Sequence, residues 1–323
     1  MRITILTYLE NEGDKTYDTV ADQVAKALRE GGHTPSVLGV HGDLKKLITG
    51  LNRRKPDLVF HLLEMFGGKL KGDVEVAGLL DLMDIPYTGG GPAELSLRMD
   101  KGLAKKTLAF DGIKYPDFAV FAPDDFETGG NLKMPLFVKP LKADASIGIG
   151  VKSLVHDAKA LMKRVAAIHK DIGDAALAEE YIEGREFYVG VLGNREPAVF
   201  PPIEMDFSGL PDGSPHVLDS KAKWSENSVE FKGTRSIIPD LPVELRARLQ
   251  KVSLEAYRAL KVRDYGRVDL RYAETGEIYV IEVNANCYLE KTSEFASAAA
   301  AAGIDFTALV NRIAELAVER RKV

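Results

Sequence analysis

The sequence predicts an α/β protein in which a helix-covered parallel sheet is followed by two mixed α+β regions. Three observations carry this. Strand-like and helix-like runs alternate from Ile3 to Met83, a glycine- and proline-rich break interrupts them at Pro86–Pro92, and a charged hairpin pattern occupies Tyr265–Asn284. At 323 residues the chain exceeds the roughly 150 residues of an average domain, so several compact units sharing one cleft are expected.

Ile3–Tyr8 reads as a short buried strand, and Val20, Val24 and Leu28 then line one helical face that Gly31 and Gly32 end. A strand at Ser36–Val40, a helical stretch at Leu44–Asn52, an apolar run at Leu58–Leu63 and a helix through Val74–Met83 continue the alternation. Such alternation is the mark of a parallel sheet, because parallel strands need a crossover and the crossover is usually a helix. The break at Pro86–Pro92 bounds an N-terminal region of residues 1–92. Beyond it, a helix at Lys101–Phe110, strands at Phe118–Phe121, Pro135–Pro140 and Gly150–Leu154, a helix near Ala158–His169 and a strand at Ala176–Ile182 make a central region, 93–183. Phe187–Leu192 opens the third region, 184–323, which ends in a helix over Val243–Leu260 and another capped by Asp305.

Composition narrows the function. Hydrophobic residues are 45% and charged residues 28%, the balance of an ordinary globular protein. A net charge of -5 and the lack of a basic cluster argue against nucleic acid as a partner. Cys287 is the only cysteine, so neither an internal disulfide nor a multi-cysteine zinc site can form, and a cytoplasmic setting is expected. Met1–Tyr8 has no leader pattern and no apolar run approaches the roughly 18 residues of a membrane span, so neither secretion nor a membrane partner is expected.

The segment YGRVDLRYAETGEIYVIEVN, Tyr265–Asn284, carries most of the chemical information. Closed symmetrically about Thr275 and Gly276, it sets Asp269 opposite Glu282, Arg267 opposite Asn284, Val268 opposite Val283 and Leu270 opposite Ile281. One face is then apolar, and the other gathers Arg267, Asp269, Glu282 and Asn284. Two carboxylates and an amide oxygen repel one another unless cations intervene, and hard oxygen donors suit Mg2+, with magnesium-bound nucleotide phosphates as the natural occupant. Arg267 could steady a transferring phosphoryl group or an oxyanion. The competing reading is a solvated face whose charges simply pair.

Upstream, Lys139 ends the strand FVKP and precedes the small-residue loop ADASIGIG, Ala143–Gly150, whose backbone could lie over phosphates. Neither a P-loop nor a dinucleotide fingerprint is present: no GxxxxGK[ST] occurs, and Gly148-Ile149-Gly150 leads into an expected strand. Met99-Asp100-Lys101 starts a lysine-rich helix, and EEYIEGRE, Glu179–Glu186, spans a strand-turn-strand junction where adenine and ribose could be held.

Taken in order, IPYTG (Ile85–Gly89), MDK (Met99–Lys101), FVKP, the loop with Ser146 and Gly148, E-x-x-I-x-G-x-E (Glu179–Glu186), RVD (Arg267–Asp269) and EVN (Glu282–Asn284) resemble the ATP-grasp superfamily and its D-alanine:D-alanine ligases. The resemblance implies an ATP-grasp architecture, with a Rossmann-like N-terminal sheet and two α+β subdomains clamping ATP. It implies an ADP-forming carboxylate-amine ligase acting through an acyl phosphate on amino acid or peptide substrates. It assigns ATP contacts to Lys101, Lys139, Ser146, Glu179, Glu180, Ile182 and Glu186. Two Mg2+ ions, with Mn2+ as a substitute, fall to Asp269, Glu282 and Asn284. Catalytic roles fall to Arg267 and to Lys223 in KAKW, and substrate contacts to Ser293, Tyr288 and His61. A homodimer is implied as well.

The chain departs from the family pattern at Ala145, where a double serine is usual, at Trp224, where a tyrosine follows the loop lysine, and after EVN. There Ala285-Asn286-Cys287-Tyr288 replaces a pair followed by Pro-Gly. Tyr288 would reshape the site of the reacting carboxylate. The family's N-terminal serine-glutamate motif has only Glu12 and Asp14 as loose counterparts. A ligase for other amino acids or a peptide fits these departures better than a dedicated D-alanine enzyme. A non-catalytic nucleotide-binding regulator and a Rossmann-type dehydrogenase are further alternatives, the latter lacking its glycine fingerprint.

Overall fold

The structure, a computed structural model, describes residues 1–129, 131–143, 147–211, 214, 216–218, 222, 225 and 227–321. Ser146, Lys223, Ala145 and Trp224 lie outside the described residues.

The opening alternation forms the expected parallel sheet. Strands β1 (Arg2–Tyr8), β2 (Thr34–Val40) and β3 (Leu58–His61) run in the order β2-β1-β3. Helices α1 (Val20–Glu30), α2 (Leu44–Arg54) and α3 (Gly72–Leu82) connect and follow them. The Asp43 side chain caps α2 by accepting from the Lys46 N–H at 3.1 Å, and Gly31 caps the end of α1. The Pro86–Pro92 segment does more than interrupt the pattern. Val59 donates to the Pro86 carbonyl and accepts from the Thr88 N–H, so residues 86–88 run alongside β3.

Two helices follow, α4 (Pro92–Met99) and α5 (Lys101–Phe110). Asp100 separates them and accepts from the Leu103 N–H at 3.0 Å, starting the second helix where the sequence places it. The central sheet has the order β5-β4-β8-β6-β7, with β4 at Phe118–Phe121, β5 at Phe126–Gly129, β6 at Leu136–Pro140, β7 at Leu154–Val155 and β8 at Ala176–Glu180. Helix α6 (Ala158–Asp171) packs Leu161, Val165 and Ile168 onto it. The strand expected at Gly150–Leu154 is a correction: Val151–Ser153 is a 3-10 turn and only Leu154–Val155 pairs. Gly150 donates its N–H to the Ser153 hydroxyl at 3.2 Å, a local bond that closes the turn in place of a ladder.

The third sheet is antiparallel and built from β9 (Gly184–Leu192), β10 (Ala198–Val199), β11 (Ile203–Asp206), β12 (Arg235–Ile237), β13 (Tyr265–Ala273) and β14 (Ile278–Ala285). Its order is β12-β11-β9-β13-β14, and β10 pairs with β9. A short helix, α7 (Val229–Gly233), precedes β12, while α8 (Val243–Ala259), α9 (Glu294–Ala301) and α10 (Phe306–Arg321) flank the sheet. The helix after Asp305 starts as expected, with Asp305 accepting from the Ala308 N–H at 2.8 Å.

The hairpin register matches the symmetric closure from Arg267 to Asp269. It then departs: a bulge after Asp269 sets Leu270 opposite Val280, not Ile281. The bulge absorbs one residue of β14, so the buried face becomes Val268, Leu270, Val280 and Val283. These side chains share a core with Leu249, Ala256 and Tyr257 of α8. Burial of each such side chain contributes about 1.5–3 kcal/mol, which fixes the register and with it the polar face opposite.

Asp264, just before β13, is fully buried and ties three chain segments together. It accepts from the Gly89 N–H at 2.7 Å and from Asn194 at 3.0 Å, and pairs with Arg320 of α10 at 2.7 Å. Arg263 donates to the Gly89 carbonyl at 2.8 Å, and the Asn286 side chain accepts from the Gly90 N–H at 2.8 Å. The segment leaving the first sheet is therefore stitched to both ends of the hairpin that carries the charged face.

Candidate active site

Central position explains the rigidity of the charged face. β13 is paired with β9 from Tyr265 to Ala273 and with β14 from Gly266 to Tyr272, so its alternating side chains have no freedom to slip without exposing the apolar face. Arg267 grips Asp269 with two parallel bonds, 2.7 Å to Oδ1 and 2.9 Å to Oδ2. Its guanidinium lies 4.3 Å from the Tyr188 ring centroid and 3.6 Å from Glu294. Burial opposes this charge, but Asp269 and Glu294 outweigh it and keep Arg267 protonated well above its ordinary value. Asn284 donates from Nδ2 to Asp269 Oδ2 at 3.0 Å, and Glu282 stands across the ladder from Asp269. The charges do pair, as the competing reading holds, but they do so largely out of solvent.

The donor set fits a divalent cation. A carboxylate offers about four lone-pair sites, and on Asp269 the bidentate Arg267 takes two and the Asn284 amide a third. The Asn284 nitrogen is turned to Asp269, so its oxygen is the atom it could offer a cation. Among the described residues no group of three His, Cys, Asp or Glu side chains forms a cation site; the arrangement here is two carboxylates and an amide.

Of the expected nucleotide residues, Lys101, Lys139 and Glu179 gather near Glu282, whereas Glu180 and Glu186 are engaged elsewhere, by Lys133 and Arg271. Lys101, although it starts a lysine-rich helix, is buried, and its Nζ lies 3.4 Å from Glu282 and donates to the Ala143 carbonyl at 2.9 Å. Lys139 Nζ pairs with Glu179 at 2.6 Å, and Lys105 pairs with the other oxygen of Glu179 at 3.0 Å. Burial pushes the Glu179 carboxyl up, but the two lysines outweigh it and hold the group below the usual carboxylate range. Burial pushes the Lys105 ammonium down, with Glu179 opposing. Glu180 accepts from the Lys133 N–H at 3.0 Å, and Ile182 lies in the extended link between β8 and β9. Glu186 faces Arg271 across the β9–β13 ladder and pairs with it at 2.6 Å, while the Tyr188 hydroxyl donates to it at 2.8 Å.

The substrate-side residues fall in two places. Ser293 caps α9, its hydroxyl accepting from the Ala296 N–H at 3.4 Å. His61 and Tyr288 line one cavity of about 550 Å3. His61 is 1% exposed, and burial pushes its imidazole down to about 4. The Tyr288 hydroxyl donates to Asp18 at 3.2 Å. Of the loose counterparts to the N-terminal motif, Glu12 pairs with Lys46, whereas Asp14 lines the cavity. Cys287 is buried, and its thiol is pushed up to about 12 by that burial, which suits a packed side chain and not a nucleophile.

Sequence reasoning missed Lys105, Tyr188, Arg271 and Glu294. Lys105 had a signal, since it sits one helical turn after Lys101 and shares its face. Tyr188 and Arg271 could have been found from strand alternation, which sets Arg271 on the face of Asp269 and Tyr188 beside Glu186.

Comparison with known proteins agrees with this geometry. The family model described as D-ala D-ala ligase C-terminus matches residues 108–315. The D-alanine--D-alanine ligase of Desulfotalea psychrophila is 32% identical over 309 residues, covering 94% of this chain and 91% of its own. That of Carboxydothermus hydrogenoformans is 33% identical over 310 residues, covering 93% of each. The uncharacterized protein y4sG of Sinorhizobium fredii is 32% identical over 309 residues, 93% of this chain and 88% of its own. The crystal structure of the D-alanine--D-alanine ligase from Bacillus anthracis complexed with ATP shares the fold, with a TM-score of 0.75 at 24% identity over 100% of this chain and 99% of that one. No helix among the described residues is long and apolar enough to cross a membrane. Matches of this length and identity place the chain in the D-alanine–D-alanine ligase family, as an ATP-dependent ligase on the ATP-grasp fold.

Proposed function

We propose that the protein joins a carboxylate to an amine through an acyl phosphate, with the chemistry centred on the Arg267–Asp269–Glu282–Asn284 face. The observation that carries this reading is the 3.4 Å contact between Lys101 and Glu282, which brings the expected phosphate-binding and metal-binding groups into one site. Bound Mg2+, two ions in this reading with Mn2+ as a substitute, would offset the charge of the phosphates. Asp269, Glu282 and Asn284 would hold those ions, and Lys101 and Lys139 would neutralise phosphate oxygens.

A carboxylate oxygen of the first substrate bonds to the γ-phosphorus as the bond to the bridging oxygen breaks and ADP leaves. The amine lone pair then forms the carbon–nitrogen bond. Phosphate departs with the electrons of the acyl carbon–oxygen bond, and the amine proton passes to solvent. Arg267 faces the developing oxyanion charge, already held in place by Asp269 and the Tyr188 ring. Glu186 takes the ribose once Arg271 yields one oxygen, and Ser293 retains its own O–H to donate to a substrate carboxylate. A cytoplasmic homodimer is the setting that goes with this reading.

The test is ADP release in the presence of Mg2+ across a panel of D- and L-amino acids. Amine-dependent release with one or more pairs supports the reading, and ATP binding without turnover on any pair points instead to the regulator.

A further inference from the structure

Lys105 is a buried ammonium, 2% exposed, that no step of the ligase chemistry uses. It sits on α5 four residues after Lys101 and on the same helical face. That face meets the side of the central sheet turned away from α6. Leu136, Val138 and Ala178 pack toward α6, so Lys139 and Glu179, out of phase with them on β6 and β8, point the other way.

There Glu179 is shared. Its Oε1 lies 2.6 Å from the Lys139 Nζ and its Oε2 lies 3.0 Å from the Lys105 Nζ, and none of the three side chains is more than 5% exposed. The two ammonium groups repel each other. Burial works against the Glu179 carboxylate, and Lys105 followed by Lys139 outweighs it. Taking a charge out of water is costly. A Lys139–Glu179 pair alone would balance the carboxylate, so the second lysine brings desolvation and like-charge repulsion with no gain in neutrality. What it adds is one positive charge that Glu179 does not cancel. Glu282 attracts Lys105 more weakly, and in the ligase reading that carboxylate serves Mg2+.

The division of Glu179 between two lysines also governs how Lys139 is held. With Oε2 engaged by Lys105, Lys139 keeps Oε1, a contact that needs one of the three N–H donors of an ammonium. Without Lys105 the whole charge of the carboxylate would fall on Lys139, and the pair would be neutral. A neutral pair attracts a polyphosphate weakly, whereas a triad with one surplus cation in a site shielded from water attracts it strongly.

We propose that Lys105 is a positioning residue for nucleotide phosphates, which takes one oxygen of Glu179 and so leaves the charge of Lys139 available to the phosphates. The proposal rests on the ligase reading for the phosphate contact of Lys139, and its test separates the two. Binding of ATP and of adenosine, each with Mg2+, is measured by calorimetry for the wild-type protein and two variants. Lys105→Gln keeps an N–H donor for Glu179 without the charge, and Lys105→Arg keeps the charge; Lys105→Met replaces the first if it does not fold. The expected result is ATP binding weakened at least about tenfold in the neutral variant, with adenosine binding and kcat within about twofold of wild type. Lys105→Arg should recover most of the ATP affinity. Equal weakening of ATP and adenosine marks a structural role and overturns the proposal, as does undiminished ATP binding in the neutral variant or ATP binding in Lys105→Arg no better than in that variant. ADP release that persists alongside any of these results leaves the ligase reading standing. A loss confined to ATP, with no ADP release by the wild-type protein on any amine, upholds the role of Lys105 and removes the ligase reading.

Discussion

The Lys101 ammonium lies 3.4 Å from the Glu282 carboxylate, so a helix start from one region supplies the counter-charge for a strand of another. Both groups are positioned before any ligand arrives. Neutralising Glu282 or Asp269 removes a hard oxygen donor and leaves a cation without its balance. Glu282→Gln and Asp269→Asn are each expected to lower the rate of ADP release by about 10²-fold or more. Steady-state release at saturating Mg2+ checks this, and wild-type rates in both variants would remove the metal role.

Glu179 is paired with two buried lysines, Lys105 and Lys139. Glu179→Gln removes the carboxylate that pairs with both ammonium groups and is expected to cost about 3–5 kcal/mol, read from urea unfolding at pH 7. Because the folded carboxyl is held below its ordinary value, its contribution is complete above the unfolded carboxylate value. It is lost as pH falls through the folded one. The wild-type protein should therefore lose stability on acidification below about pH 4.3 more steeply than the variant.

His61 behaves differently. Its folded value of about 4 lies below the free value of 6.5, so the unfolded chain takes up a proton that the folded one refuses. Stability from this group is intact above pH 6.5 and declines as pH falls toward 4, by about 3 kcal/mol in all. Replacing His61 with Gln should flatten that part of the stability profile, as measured by denaturant midpoints between pH 7 and pH 4.

Asp264 accepts from the Gly89 N–H and from Asn194 and pairs with Arg320, although burial pushes its carboxyl up. Asp264→Ala strands an arginine and a backbone donor and is expected to destabilise by about 3–5 kcal/mol. Thermal unfolding measures the loss. A variant with an unchanged midpoint would show that the stitch is dispensable.

Much of this was legible in the residues, for identifiable reasons. The helix at Lys101–Phe110 was found because Asp100 is a strong cap, and the charged face because strand alternation has a fixed period of two. The bulge after Asp269 was not legible, since both Val280 and Ile281 are apolar and either could oppose Leu270. Strands β10 to β12 escaped because they are short and follow no clear alternation. Lys105 is one of several lysines in its helix, and only the fold brings Glu179 to it. The cavity escaped for a related reason, being assembled from loops far apart in the chain whose acids, taken one at a time, look like ordinary surface charge.

The stitch around Gly89 also orders events during synthesis. Tyr87 and Gly89 emerge early, but the guanidinium that donates to the Tyr87 carbonyl and pairs with Asp264 belongs to Arg320. On a ribosome adding about 5–20 residues per second, that partner arrives many seconds later. Ile3, Ile5, Leu58 and Phe60 of the first sheet share their core with Leu309, Val310 and Ile313 of that same helix, so both the core and the exit strand stay incomplete until the last helix has been made.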